Sequence, residues 1–209
     1  MTTPQNFIHH FEPAQNDDAP VLLLLHGTGG NERDLRDLGR MLAPDAALLS
    51  PRGKTLENGM PRFFRRLAEG VFDLQDLRFR THELADWIAA ATEHYGVSER
   101  KLIALGYSNG ANIAASTLLL RPDVLDGAVL LRPMVPLEPD QQPDLTDVAV
   151  LIRGGRFDQL VPPSGSEQLA VLLQAAGADV AVQWHAGGHE LAMDDVRAAQ
   201  AWLGARLKG

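Results

Sequence analysis

The sequence predicts a three-layer α/β/α sandwich built on a mostly parallel sheet, and two observations predict it. Short, almost wholly apolar runs alternate with longer segments of helical period along the whole chain. The runs carry apolar residues at consecutive positions instead of every second one, which is the pattern of strands covered on both faces. Parallel strands need crossover connections, and both faces of such a sheet must be covered by helices.

The runs are "VLLLLHG" (21–27), "AALLSPRG" (46–53), "KLIALGY" (101–107), "GAVLLRP" (127–133), "VAVLIRGG" (148–155) and "DVAVQWHA" (179–186), and His9 and His10 fall in an N-terminal edge strand. Helices are expected at about 31–43, 75–95, 109–120, 165–176 and 191–207 from apolar spacing and turn punctuation. Two stretches, 51–74 and 133–147, are rich in Pro, Gly, Arg and Asp and are expected to be loops. No repeat or linker interrupts the pattern, so residues 1–209 are expected to form one domain, with too little spare chain for a separate cap.

Composition narrows the function. The formal charge of -8 and pI near 5.3 disfavour a duplex nucleic-acid partner, and no nucleic acid is expected, because phosphate binding needs a concentrated basic surface. There are no cysteines, which removes disulfides, thiolate metal ligands and a cysteine nucleophile together. The N-terminus has neither the basic start nor the apolar core of a secretory signal, and no apolar run reaches the roughly 18 residues of a membrane span. A cytoplasmic protein without membrane insertion is expected, and a homodimer is left open.

The chemistry is carried by three loops that follow strands. "GYSNG" (106–110) sets Ser108 between a strand and an alanine-rich helix as G-x-S-x-G, the nucleophile-elbow pattern. Its flanking positions must be small so that strand and helix can approach while the serine hydroxyl is thrust outward. A serine needs a base, and the base needs an orienting acid. Asp158 in "RGGRFDQLVP" and His189 in "HAGGHEL" each follow a strand, giving the chain order Ser, Asp, His. An oxyanion hole takes the N–H after the nucleophile and one from an earlier loop, so the backbone N–H groups of Asn109 and of Thr28 in "HGTGG" are the candidates. That glycine-rich loop has neither the GK[ST] ending nor the G-x-G-x-x-G spacing of a nucleotide site.

The remaining candidates are weaker. His185 is the rival base, His26 is expected to brace the oxyanion loop, and His9, His10, His82 and His94 are expected to be structural or solvated. No H-E-x-x-H or other clustered ligand spacing appears, so neither metal nor cofactor is expected. Asp194 and Asp195 fall within the last helix. The stretch "NGMPRFFRRLAEGVFD" (58–73) should border the same sheet edge, with Phe63, Phe64, Phe72 and Leu160 as candidate apolar lining and Arg65 or Arg66 as a mouth attracting an acidic group. The opposed reading anchors the phenylalanines in the core and pairs the arginines with Asp73 or Asp76.

At "LHGTGGNE", "GYSNGANIA", "GGRFDQLVP" and "GGHEL" the chain resembles the α/β-hydrolase superfamily, in its small phospholipase/carboxylesterase branch, which also holds acyl-protein thioesterases. The resemblance covers nearly the whole chain and implies an α/β-hydrolase fold without a cap domain. It carries over residue by residue: Ser108 as nucleophile, Asp158 as acid, His189 as base, Thr28 and Asn109 as amide donors. Thioesterase members usually have glutamine after the serine, where this chain has Asn109, and this weakens transfer of a thioester substrate. Bacterial carboxylesterase-like members look closer in "GTGG" and "MPRFFRRLAEGVFD". Dienelactone hydrolases share the fold but use cysteine, which this chain lacks. The expected activity is hydrolysis of a small-molecule carboxylic ester of short to medium acyl chain, with thioester or lactone hydrolysis, or ligand binding without turnover, as the alternatives.

Overall fold

A computed structural model describes residues 7–16 and 18–206. Seven strands form one sheet in the order β1-β3-β2-β8-β9-β10-β11. These are β1 (His9–Glu12), β2 (Val21–Leu25), β3 (Ala47–Pro51), β8 (Leu102–Tyr107), β9 (Gly127–Leu131), β10 (Ala149–Gly155) and β11 (Asp179–His185). All neighbouring pairs are parallel except β1 with β3, where His9 opposes Pro51 at the sheet edge.

Apolar residues at consecutive positions serve two cores. Along β2, Val21, Leu23 and Leu25 join one buried cluster while Leu22 and Leu24 join the other. The first core is closed by α2 (Leu74–His94), α3 (Asn109–Leu120) and α4 (Pro163–Ala175) through Leu84, Ile113 and Leu169. The second is closed by α1 (Arg36–Leu42) and α5 (Met193–Arg206) through Leu42, Ala199 and Leu203. Each fully buried leucine contributes roughly 1.5–3 kcal/mol, so β2, with all five residues buried, is an axis of the molecule.

Two sequence expectations need correction. The first helix begins at Arg36, not near residue 31. Asn31 Oδ1 accepts the Arg33 N–H at 2.9 Å and Asp34 Oδ2 accepts the Asn31 N–H at 3.2 Å, so side chains hold residues 31–35 as turns. The stretch 51–74 is not irregular: it folds into two hairpins, β4 (Thr55–Glu57) with β5 (Met60–Arg62) and β6 (Arg66–Ala68) with β7 (Val71–Phe72). Asn58 and Gly59 both take positive φ, 51° and 81°, the two-residue turn whose twist suits a hairpin. Residues 133–147 contain no helix or strand, as expected. No helix among the described residues is long and apolar enough to cross a membrane.

Because the parallel strands share a direction, the segments after β2, β8, β9, β10 and β11 emerge together along the carboxyl edge of the sheet. Thr28, Ser108, Arg132, Asp158 and His189 all lie in those segments.

Candidate active site

The elbow is built by close approach. Ser108 sits between β8 and α3 with φ 52° and ψ -111°, a conformation L side chains rarely adopt, and its N–H donates to Leu131 O at 2.9 Å. A Cβ on Gly110 would lie 1.9 Å from Leu25 O, and one on Gly106 2.5 Å from Gly110 O. The flanking glycines therefore let α3 start directly against the ends of β2 and β8.

The hydroxyl of Ser108 lies 2.9 Å from His189 Nε2, and His189 Nδ1 lies 2.8 Å from Asp158 Oδ2. With the ring proton on Nδ1, the serine donates to the imidazole and the imidazole to the carboxylate. The other carboxylate oxygen accepts the N–H groups of Leu160 and Val161 at 2.8 and 2.9 Å, and the carboxylate is wholly buried. The acid is thus fixed by its own loop before it meets the histidine. Tyr107 donates from its hydroxyl to His189 O at 3.1 Å.

Facing this chain, neither the Thr28 N–H nor the Asn109 N–H donates a hydrogen bond among the described residues. Both residues line the cleft that also holds Ser108 and His189. The loops that carry these amides are held from behind. Buried His26 donates from Nδ1 to Gly27 O at 2.7 Å and accepts the Gly53 N–H on Nε2 at 2.9 Å, and burial pulls its pKa down, so it stays neutral. Asn109 Oδ1 accepts the Phe63 N–H at 2.7 Å, which ties the elbow to the hairpin segment.

The expected pocket wall is redistributed. Phe72 and Leu160 line the cleft, but Phe63 and Phe64 are 3% and 0% exposed and belong to the core. Phe63 packs on the His26 ring and Phe64 meets Phe72 edge to face, 5.0 Å between centroids. Arg65 points outward to Asp73, with its N–H on Asp76, and does not reach the cleft. Arg62 and Arg66 line it instead. Arg62 is buried and donates to Thr28 Oγ1 at 2.6 Å, while Arg66 pairs with Glu57 and Glu69.

The rival base His185 bonds Asp194 Oδ2 at 2.8 Å instead of meeting the serine. His185, Asp194 and Asp195 come close enough to suggest a cation site. Their carboxylates, however, already face two guanidinium groups: Asp194 pairs with Arg153 at 3.0 Å, and Asp195 with Arg132 and Arg153 at 2.7 and 3.0 Å. Positive charge thus already occupies the cluster, which is an ion-pair network.

Comparison with known proteins identifies the family. The Phospholipase/Carboxylesterase family description matches residues 8–206. MhqD of Bacillus subtilis, a candidate hydrolase by name, is 50% identical over 194 residues, 93% of this chain and 96% of its own. The crystal structure of the Bacillus cereus carboxylesterase is 47% identical, with a TM-score of 0.94 over 96% of this chain and 95% of that one. A structure of YahD with malic acid is 32% identical, with a TM-score of 0.90 over 96% of this chain and 99% of that one. The chain has the α/β-hydrolase fold, without a separate cap among the described residues, belongs to the phospholipase/carboxylesterase family, and is a carboxylesterase-type hydrolase.

Proposed function

We propose that Ser108, His189 and Asp158 hydrolyse small carboxylic esters through an acyl-enzyme. The observation that carries this reading is the unbroken hydrogen-bond chain from Ser108 Oγ through His189 to Asp158, beside two undirected backbone N–H groups. His189 takes the serine proton as Oγ attacks the ester carbonyl, and the Thr28 and Asn109 amides receive the oxyanion. The imidazolium, stabilised by Asp158, gives that proton to the departing alkoxide. Water then attacks the acyl-enzyme by the same route, which releases the acid and restores the serine.

The cleft beside Ser108 encloses only ≈ 40 Å³, between Phe72, Met134, Leu160 and Val161. So small a cleft supports short acyl groups, a medium chain extending into its open mouth, and thioesters or lactones of similar bulk would follow the same path. Arg62 and Arg66 on the wall, together with the malic acid bound by YahD, favour a second reading in which one end of the substrate carries a carboxylate. Turnover of monoethyl glutarate above that of ethyl pentanoate would support it, and the reverse order would remove it.

Ser108→Ala separates turnover from binding. It removes one oxygen at an elbow that already tolerates the backbone, so the protein should fold and lose roughly 10⁴-fold or more in kcat on p-nitrophenyl butyrate, with no fluorophosphonate labelling. Turnover or labelling that survives in this variant discards Ser108 as nucleophile.

A further inference from the structure

Arg132 follows β9 directly and is fully buried, with a positive φ of 57°. All five of its side-chain N–H groups have acceptors. Nε donates to Gly188 O at 2.9 Å and Nη2 to Glu190 O at 2.9 Å, the carbonyls on either side of His189. Nη1 donates to Arg153 O at 3.3 Å, and the two Nη atoms meet the two oxygens of Asp195 at 3.0 and 2.7 Å. Asp195 is itself held by Arg153 Nε and by the Ala192 N–H, both at 3.0 Å. One residue earlier on the same strand end, Leu131 O receives the Ser108 N–H. Adjacent residues therefore anchor the serine backbone and the histidine loop.

We infer that Arg132, seated by Asp195, is a positioning residue that sets the distance and angle between His189 Nε2 and Ser108 Oγ. The inference rests on the triad reading above. Without the fork, the glycine-bearing loop 186–190 would keep the Tyr107 bond, the Asp158 bond and the Phe157 N–H bond to Gly187 O, but lose the anchors on the two carbonyls that flank His189. Lysine can restore the charge opposite Asp195, but its single ammonium cannot reproduce a planar fork that spans Gly188 O and Glu190 O while also meeting a carboxylate. The consequence is a rate effect, because a base displaced by a fraction of an ångström still lets substrate bind but abstracts the proton poorly.

The test compares Arg132→Lys, Arg132→Met and Asp195→Asn with the wild type, and with Leu173→Ala as a control for lost stability in a core distant from the loop. Each is measured for Tm and for kcat and KM on p-nitrophenyl butyrate. Arg132→Lys should recover much of the Tm lost in Arg132→Met, yet keep a kcat roughly 10- to 100-fold below wild type with KM within threefold. Asp195→Asn, which leaves the guanidinium present but unseated, should show a smaller loss confined to kcat and supplies the answer if Arg132→Met does not fold. A kcat within threefold of wild type in both Arg132→Lys and Asp195→Asn overturns the inference, as does a kcat loss in Leu173→Ala equal to theirs at matched Tm. Full turnover in Ser108→Ala would overturn the triad reading, whereas loss there with full turnover in both Arg132→Lys and Asp195→Asn overturns the clamp alone.

Discussion

Two phenylalanines of "NGMPRFFRRLAEGVFD" have opposite fates, and this is where residue-level reading from sequence stops. Phe64 is fully buried under Phe72, whereas Phe72 is half-buried at the cleft wall. Both are phenylalanines on the segment that borders the site, and nothing in their spacing separates them, because the direction of each is set by the hairpins around them. Phe64→Ala should therefore lower stability by about 3–5 kcal/mol, as core aromatic truncations do, and leave the acyl-chain profile unchanged. Phe72→Ala should do the opposite: widen the cleft and shift preference to longer esters, several-fold per methylene at about 1 kcal/mol each, with a smaller loss of stability. Melting curves and a series of p-nitrophenyl esters from C2 to C10 read both effects. A chain-length shift in Phe64→Ala without loss of Tm would return Phe64 to the pocket wall.

At the scale of elements, the inner strands were legible because their burial on both faces writes itself as unbroken apolar runs, and α2 because it carries a periodic buried face, Leu77, Thr81, Leu84, Ile88 and Ala91. The elbow was legible for a different reason, since G-x-S-x-G between a strand and a helix states a steric requirement. Gly110→Ala tests that requirement: the new Cβ would stand 1.9 Å from Leu25 O, so either α3 or β2 must move. The expected result is a loss of at least 1–3 kcal/mol and of turnover together, because the shift misplaces Ser108. Wild-type Tm and kcat in this variant would mean that the approach of α3 to β2 is slack. The hairpin β4–β5 was equally available as Asn58-Gly59, but the three-residue strands around it are too short to carry an alternating pattern. The start of α1 was not legible, because Asn31 and Asp34 bond locally to backbone in competition with the helix.

Across the whole molecule, Arg132, Arg153, Asp194 and Asp195 tie the ends of β9 and β10 to the start of α5, which closes the second core. Their meeting depends on tertiary placement of residues 63 apart, as in Arg132 with Asp195, and no local pattern announces it. Burial pushes the Asp195 carboxyl up, but the bonds from Arg132, the Ala192 N–H and the nearby charge of Arg153 outweigh it and hold the pKa below the ordinary value. A group depressed in the folded state contributes stability above its unfolded pKa, about 3.9, and that contribution fades as pH falls through the lower folded value. Asp195→Asn removes the charge, which leaves buried Arg132 without a carboxylate and Arg153 with Asp194 alone, and should cost about 3–5 kcal/mol at pH 7. Since acid neutralises the wild-type carboxylate too, the gap between variant and wild type should hold steady from pH 7 to 5 and narrow below about pH 4. Urea unfolding at pH 7, 5, 4 and 3.5 measures it. A gap that stays constant through pH 3.5 would assign the loss to the shape of the amide rather than to charge, and would leave α5 anchored to the sheet by packing alone.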